Sequence, residues 1–245
     1  MAAMPPHAAV LIPAAFVTAV VSGTIGMGGG IVLLAVMAQY FPPAVLIPLH
    51  GFIQLASNSS RVLYGFRHID RRIMARYAAG AAAGAALGSR VVVSLPDAWY
   101  KLALGLFLVA VTVLPAPRKA RDFRFKWPVV GAGATFLSLI AGATGPLIAP
   151  FFLHEAMDRR QLVATKASCQ IFTHLLKVSV FVALGFALGP YLPLLAAMVV
   201  AVFAGNYLGN TVILHRVPER GFRLAFRTIL LVLSARMVWL GARAL

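Results

Sequence analysis

HGFIQLASNSSR (residues 50–61) and KASCQIFTHLLK (residues 166–177) carry one polar pattern twice inside apolar surroundings. The first presents His50, Gln54, Ser57, Asn58 and Arg61; the second presents Lys166, Gln170, Thr173, His174 and Lys177. Each member of the second set lies 116 positions beyond its counterpart (166 against 50, 177 against 61). Steps of three and four residues align such groups along one helical face. A polar group in hydrocarbon costs several kcal/mol unless it finds a partner or water, so a chain that keeps this face twice is read as an internal duplication with a use for it.

The surroundings of the stripes define the solvent. Of 245 residues, 61% are hydrophobic and only 11% charged, and runs such as 8–21 and 191–203 contain no charge. That composition belongs to an integral membrane protein. About 20 apolar residues cross a bilayer core, so the chain holds roughly eight apolar segments and almost no soluble domain. The N-terminus lacks a basic region ahead of its apolar run and is read as retained rather than as a signal peptide. The net charge of +16 sits in short clusters: Arg67, Arg71, Arg72 and Arg76; Arg118, Lys119, Arg121, Arg124 and Lys126; Arg159 and Arg160; Arg216, Arg220 and Arg223. Positive-inside bias accounts for them, and no nucleic-acid partner is expected. The single cysteine, Cys169, is read as a packing residue.

The duplication extends outward from the stripes. SGTIGMGGG (22–30) stands opposite SLIAGATGP (138–146) at the same offset, pairing Ser22 with Ser138, Gly26 with Gly142 and Gly29 with Gly145. Each half reads as one Gly-interrupted apolar segment followed by three helices. The first repeat, 1–117, has its interrupted segment at 8–41 and helices at 46–66, 74–94 and 99–115. A basic linker, 118–126, leads to the second repeat, 127–245, with the interrupted segment at 127–153 and helices at 161–186, 191–214 and 222–242. If each interrupted segment enters and leaves on one side, every basic loop faces the cytoplasm and the turns near Pro42, Pro96 and Gly189 face out. The expected fold is therefore an all-α polytopic membrane protein of two inverted repeats, each a re-entrant hairpin plus three transmembrane helices. Trp99, Trp127 and Trp239 fall near crossing ends, where aromatic anchors sit.

The expected site follows from these placements. Backbone that leaves helical geometry at membrane depth survives only beside protein or a water-filled cavity, and glycine tolerates the dihedrals required. Amides at half-helix starts attract anions. Gly28, Gly29 and Gly30 offer them in the first half, and Thr144 and Gly145 in the second, with Pro146 opening a helix arm. No acidic residue falls within either stripe, so the lining offers cations and neutral donors, and the ligand is an anion. Arg61 and Lys166 each admit two readings, a cavity residue or a side chain snorkelling to the surface. His50 lies near an interface and is equally structural or functional. His174 and Lys177 are deeper, and His174 is suited to binding substrate or carrying protons. Gln54 and Gln170 are expected to meet across a pseudo-twofold axis, while Gly80, Gly84, Gly88, Gly205 and Gly209 read as packing positions. Arg90, Asn206 and Asn210 are secondary candidates. HExxH, P-loop and nucleophile-elbow motifs are absent from the sequence, the six carboxylates fall in or beside loops, and no enzyme, metal or cofactor is expected.

GTIGMGGGIVLLAVM (23–37) followed by LIPLHGFIQLASNSSRVLYGF (46–66) resembles the TauE/SafE family of sulfite and organosulfonate exporters. GATGPLIAPFFL (142–153) and ATKASCQIFTHLLKV (164–178) resemble its second repeat unit. The resemblance implies a multi-pass secondary transporter of the bacterial inner membrane for sulfur-containing anions such as sulfite, taurine or sulfoacetate. It carries over Gly26, Gly28, Gly29 and Gly30, and Gly142, Gly145 and Pro146. Where the first unit has GMGGG the second has GATGP, so the halves need not bind equally. The expectation is alternating-access export of a small sulfur oxyanion, with an anion channel, or a lipid-binding membrane enzyme or assembly factor, as alternatives. Expected partners are the small anionic substrate and membrane lipid, with a homo-oligomer left open.

Overall fold

A computed structural model describes residues 4–25, 28–92, 97–113, 123–153, 155–213, 228, 231–233, 235–236, 238–239 and 242–243. Among these the fold is entirely helical. Helix α1 (Ala8–Ile25) and α2 (Gly29–Met37) are followed by α3 (Pro43–Gly65), α4 (Arg71–Val92) and α5 (Asp97–Val113). The second half runs α6 (Lys126–Ala141), α7 (Gly145–Leu153), α8 (Arg159–Ala183) and α9 (Leu192–Leu208), which passes into a π turn at Gly209–Ile213. Gly26, residues 118–122 of the linker and most of the 222–242 segment lie outside the described residues.

Local chemistry sets several boundaries. Pro42 is extended and Pro43 opens α3, a position where the missing N–H of proline costs nothing. Helix α8 starts at Arg159 because the Asp158 carboxylate accepts the Gln161 N–H at 2.8 Å, an N-cap. That bond holds the Asp158 carboxyl below the usual carboxylate range. Asp70 serves α4 likewise, accepting from the N–H groups of Arg72 and Ile73. Helix α9 yields at Leu208, short of 214, because the backbone widens there into the π turn.

The chain reverses at each interruption. At the base of the first hairpin the His7 ring stacks on Tyr40 and meets the edge of Phe41, with centroids 5.5 and 4.9 Å apart. Residues before α1 thus lie beside residues after α2. In the second hairpin Lys126, which opens α6, bonds Glu155 beyond α7 at 2.6 Å, and Trp127 packs on Phe152. Trp127 is consequently buried rather than placed as an exposed anchor. The first base touches Tyr191, beyond the C-terminal end of α8. The second packs with Ile73 and Tyr77 in a cluster near the N-terminal end of α8, where Asp70 N–H donates to Thr165. The two hairpins therefore enter the bundle from opposite ends of α8.

Packing follows the duplication. Helix α1 lies along α9 and α6 along α4, so the long arm of each hairpin is clasped by a helix of the other half, while α3 packs on α8. Glycine permits the approach. A Cβ at Gly84 would collide with the Ala132 carbonyl, and one at Gly205 with the Phe16 carbonyl; Phe16 and Ala132 are again 116 apart. Between apolar helices in lipid no hydrophobic gain drives association, so such close contact carries the packing.

One helical run among the described residues, Gly189–Thr211, is by itself long and apolar enough to cross a membrane. Helices α3, α4 and α8 have 23, 22 and 25 residues, which at 1.5 Å per residue is about 33–37 Å against a core of about 30 Å. Their hydropathy is diluted by the polar stripes of α3 and α8 and by Arg71, Arg72 and Arg76 at the start of α4. The exposed Arg90 ends α4 away from either cavity described below.

Gly84→Val and Gly205→Val should each destabilise the purified protein by about 1–3 kcal/mol through overpacking, whereas Gly133→Ala, whose added Cβ meets nothing within 4 Å, should not. Thermal unfolding in detergent measures the difference; equal midpoints for all three would remove the glycine contacts from the account.

Candidate functional site

Helices α3 and α8 cross with their stripes face to face and opposed in direction. His50, early in α3, faces His174, late in α8, with ring centroids 6.4 Å apart and Lys177 alongside. At the other end of the contact Lys166 faces Arg61. Antiparallel pairing thus gives two basic groupings, His50–His174–Lys177 and Arg61–Lys166, separated along the contact. Gln54 and Gln170 stand between them in sequence on each stripe.

A cavity of about 30 Å³ lies between the groupings. Both interruptions reach it. Gly28 and Gly30 line it from the first hairpin, Thr144, Gly145 and Pro146 from the second, and His50, Gln54, Arg61, Lys166, Gln170 and His174 from the stripes. The side chains of Gln54 and Gln170 lie against the hairpin glycines: an added Cβ at Gly30 would come 2.8 Å from Gln54 Oε1, and one at Gly145 3.3 Å from Gln170 Nε2. Helices α2 and α7 begin at the cavity wall, and the first N–H groups of a helix have no partner within it. Pro146 lacks one of those donors, so the second hairpin offers fewer amides than the first. The volume suits one or two waters rather than a wide aqueous pore.

Four expected residues stand elsewhere. Gly29 faces α1, where a Cβ would strike the Thr18 carbonyl and Ser22 Oγ. Asn58 is fully buried and accepts a 2.8 Å bond from Arg61 Nη2 while donating to the Gln54 carbonyl, so it orients Arg61 from behind. Thr173 turns toward α4 and α6, within 2.9 Å of Tyr77 Oη and 3.1 Å of Thr135 Oγ1. Lys177 passes the cavity and donates to the Gly142 carbonyl at 2.6 Å. Its stem occupies room left by Gly51, where a Cβ would lie 2.6 Å from Lys177 Cε. Gly142 itself is at φ 76°, a conformation that favours glycine. Lys166 is 2% exposed, so its ammonium is not at the surface.

A larger cavity of about 600 Å³ adjoins the first, and Arg61 lines both. His68 and Arg160 mark its outer part, on the basic-loop end, and Asn206 and Asn210 approach from α9 and the π turn. Asn206 is buried and donates to Ser57 and Ser60, tying α9 to the back of the α3 stripe. Among the described residues no carboxylate lines either cavity. Ser22, Ile31 and Ala143 also line the smaller cavity; Ser22 and Ala143 carry one signal, their places in the matched SGTIGMGGG and SLIAGATGP segments.

The geometry is that of a basic, donor-rich pocket at the meeting of two broken helices. A family model described as sulfite exporter TauE/SafE matches residues 11–237, nearly the whole chain. The chain belongs to the TauE/SafE family. TauE/SafE proteins are integral membrane transporters that export sulfur compounds, a transporter family rather than an enzyme family. No curated protein and no solved structure matches the chain. In this TauE/SafE protein both hairpin motifs and both stripes lie inside the matched region.

Thr173→Val should remove the Tyr77 and Thr135 contacts, lowering stability by about 1–3 kcal/mol while changing anion affinity less than about threefold. Gln170→Leu should do the reverse, weakening affinity roughly tenfold, the loss of a good polar contact. Calorimetric titration with sulfite beside thermal unfolding separates the two; equal affinity losses would place Thr173 in the binding wall.

Proposed function

We propose that the protein exports a small sulfur-containing oxyanion, sulfite or a short organosulfonate, from the cytoplasm across the bacterial inner membrane by alternating access. The observation that carries this reading is the small cavity between the hairpin breaks, rich in cations and donors, without a carboxylate among the described residues that line it, and joined at Arg61 to the vestibule lined by His68 and Arg160. A tetrahedral or pyramidal oxyanion matches such a lining. Its oxygens accept from amide groups of the hairpin starts and from Gln54 and Gln170, while Arg61 and Lys166 supply charge. Asn58 and Lys177 act from behind, the first on Arg61 and the second on the Gly142 turn.

The two halves act as inverted repeats, each a re-entrant hairpin plus three crossings. Entry of the hairpins from opposite ends of α8 supports that arrangement, as does their clasping by helices of the other half. Positive-inside bias places the His68 and Arg160 end in the cytoplasm, so the vestibule opens toward the compartment from which substrate is exported. The contrast between a wide vestibule and a cavity of about 30 Å³ favours alternating closure over an open channel. An inside-negative potential then drives anion export, at about 2.3 kcal/mol per charge per 100 mV.

Purified protein in liposomes should give saturable flux of sulfite, taurine or sulfoacetate that follows imposed voltage. Arg61→Gln should lower it at least about tenfold, the worth of one charge-assisted contact, and Lys177→Gln should also lower it, with folding retained. Absence of flux for all three anions would overturn the substrate class, and large unitary currents would replace the transporter by a channel.

A further inference from the structure

The exporter reading uses Arg61, Lys166 and the hairpin amides; it leaves the two buried imidazoles without work. His50 and His174 are 0% and 2% exposed, both line the small cavity, and they meet in a T-shaped pair. Their Nδ1 atoms are buried, with no hydrogen-bond partner among the described residues. For His50 the tautomer follows from geometry. Nε2 stands 2.8 Å from the Gly30 carbonyl, and a carbonyl only accepts, so Nε2 carries the hydrogen and Nδ1 of the neutral ring is a bare lone pair. The Gly142 carbonyl also faces this ring. A bare lone pair beside a carbonyl makes no bond, whereas an added N–H there has an acceptor.

We propose that the His50–His174 pair is a proton-binding site, and that a proton and the exported anion occupy the cavity together. The surroundings make the two ligands interdependent. Among the described residues, Lys177 on α8 stands alongside the pair, and Arg61 on α3 and Lys166 on α8 line the same cavity; the hairpins contribute the Gly30 and Gly142 carbonyls. Among the described residues no carboxylate lines this cavity. The cations repel a proton from the imidazoles, and an anion among them offsets that repulsion. Anion binding therefore strengthens proton binding, and by reciprocity the proton strengthens anion binding.

A proton on His50 also has a mechanical consequence. With both ring nitrogens carrying hydrogens, Nε2 keeps its bond to Gly30 in the first hairpin, and Nδ1 gains a donor close to the Gly142 turn that Lys177 holds in the second. Loading the site with anion and proton thus redistributes the bonds that fix the two hairpins, the elements whose relative position sets access.

This inference rests on the exporter reading for its ligand, so its test is a binding measurement that needs no transport. Full-length protein in detergent is titrated with sulfoacetate, and with sulfite after subtracting the anion's own titration, in buffers of different ionisation enthalpy between about pH 6 and 8, the range in which histidine exchanges protons. Roughly one proton taken up per anion by the wild type is the expected result, with uptake reduced at least fivefold in His174→Gln and in His50→Gln. Anion binding by the wild type without proton uptake would overturn the proton site while leaving the exporter standing. Undiminished uptake in a His50→Gln/His174→Gln protein with an intact unfolding transition would also overturn it. No binding of either anion would overturn both readings.

Discussion

The 2.6 Å bond from the Lys177 ammonium to the Gly142 carbonyl answers two demands at once. A helix that stops inside an apolar bundle leaves carbonyls without donors, and a lysine stem that is 0% exposed needs an acceptor for its charge. Each group supplies what the other lacks. The arrangement also explains two glycines: Gly51 makes room for the lysine stem, and Gly142 adopts the φ of 76° that directs the chain into the second hairpin. Without that turn, α7 would not begin at the cavity and the stripe of α8 would face an unbroken helix.

Much of this was legible from residue spacing, and the part that was not has a definite physical origin. The apolar composition points to an all-helical membrane protein, and the 116-residue offset picks out the two polar stripes that the structure brings face to face at one cavity. Spacing identifies a helical face about 100° wide; it does not say which neighbour each position on that face meets. Thr173 and Ser57 sit at the edges of their stripes, and the crossing of α3 and α8 turns them toward Tyr77 and Asn206 rather than the cavity. Asn58 and Arg61 are three apart, close enough to bond each other, so the amide supports the guanidinium instead of facing the ligand. Ser22 escaped selection because a lone serine on an apolar helix has the pattern of a packing residue.

Positions 116 residues apart differ in chemistry. At that offset Arg61 corresponds to Lys177 and His50 to Lys166, yet Lys177 bonds a hairpin carbonyl while Arg61 bonds Asn58 and lines both cavities. The vestibule end thus has a guanidinium facing open volume, and the opposite end has an ammonium engaged with a turn. A guanidinium holds its charge and offers several donors in a fixed plane, whereas an ammonium is a compact charge on a flexible stem. The first suits a group that faces open volume, the second a group that holds a single turn.

This asymmetry bears on how a duplicated bundle could move. Each long hairpin arm rests on a helix of the other half where glycine lets backbone approach backbone, Gly84 beside Ala132 and Gly205 beside Phe16, with buried side chains such as Leu11 and Met198, or Tyr77 and Trp127, packed in the same clusters. Such faces resist separation, because close contact is what holds helices together in lipid. The polar bonds at the cavity add to that hold: His50 to Gly30 and Lys177 to Gly142 each tie one hairpin to a central helix. A ligand that competes for those same donors acts on the ties directly. Occupancy of the cavity and the position of the hairpins are then linked, because the groups that line the cavity stand beside those that hold the hairpins.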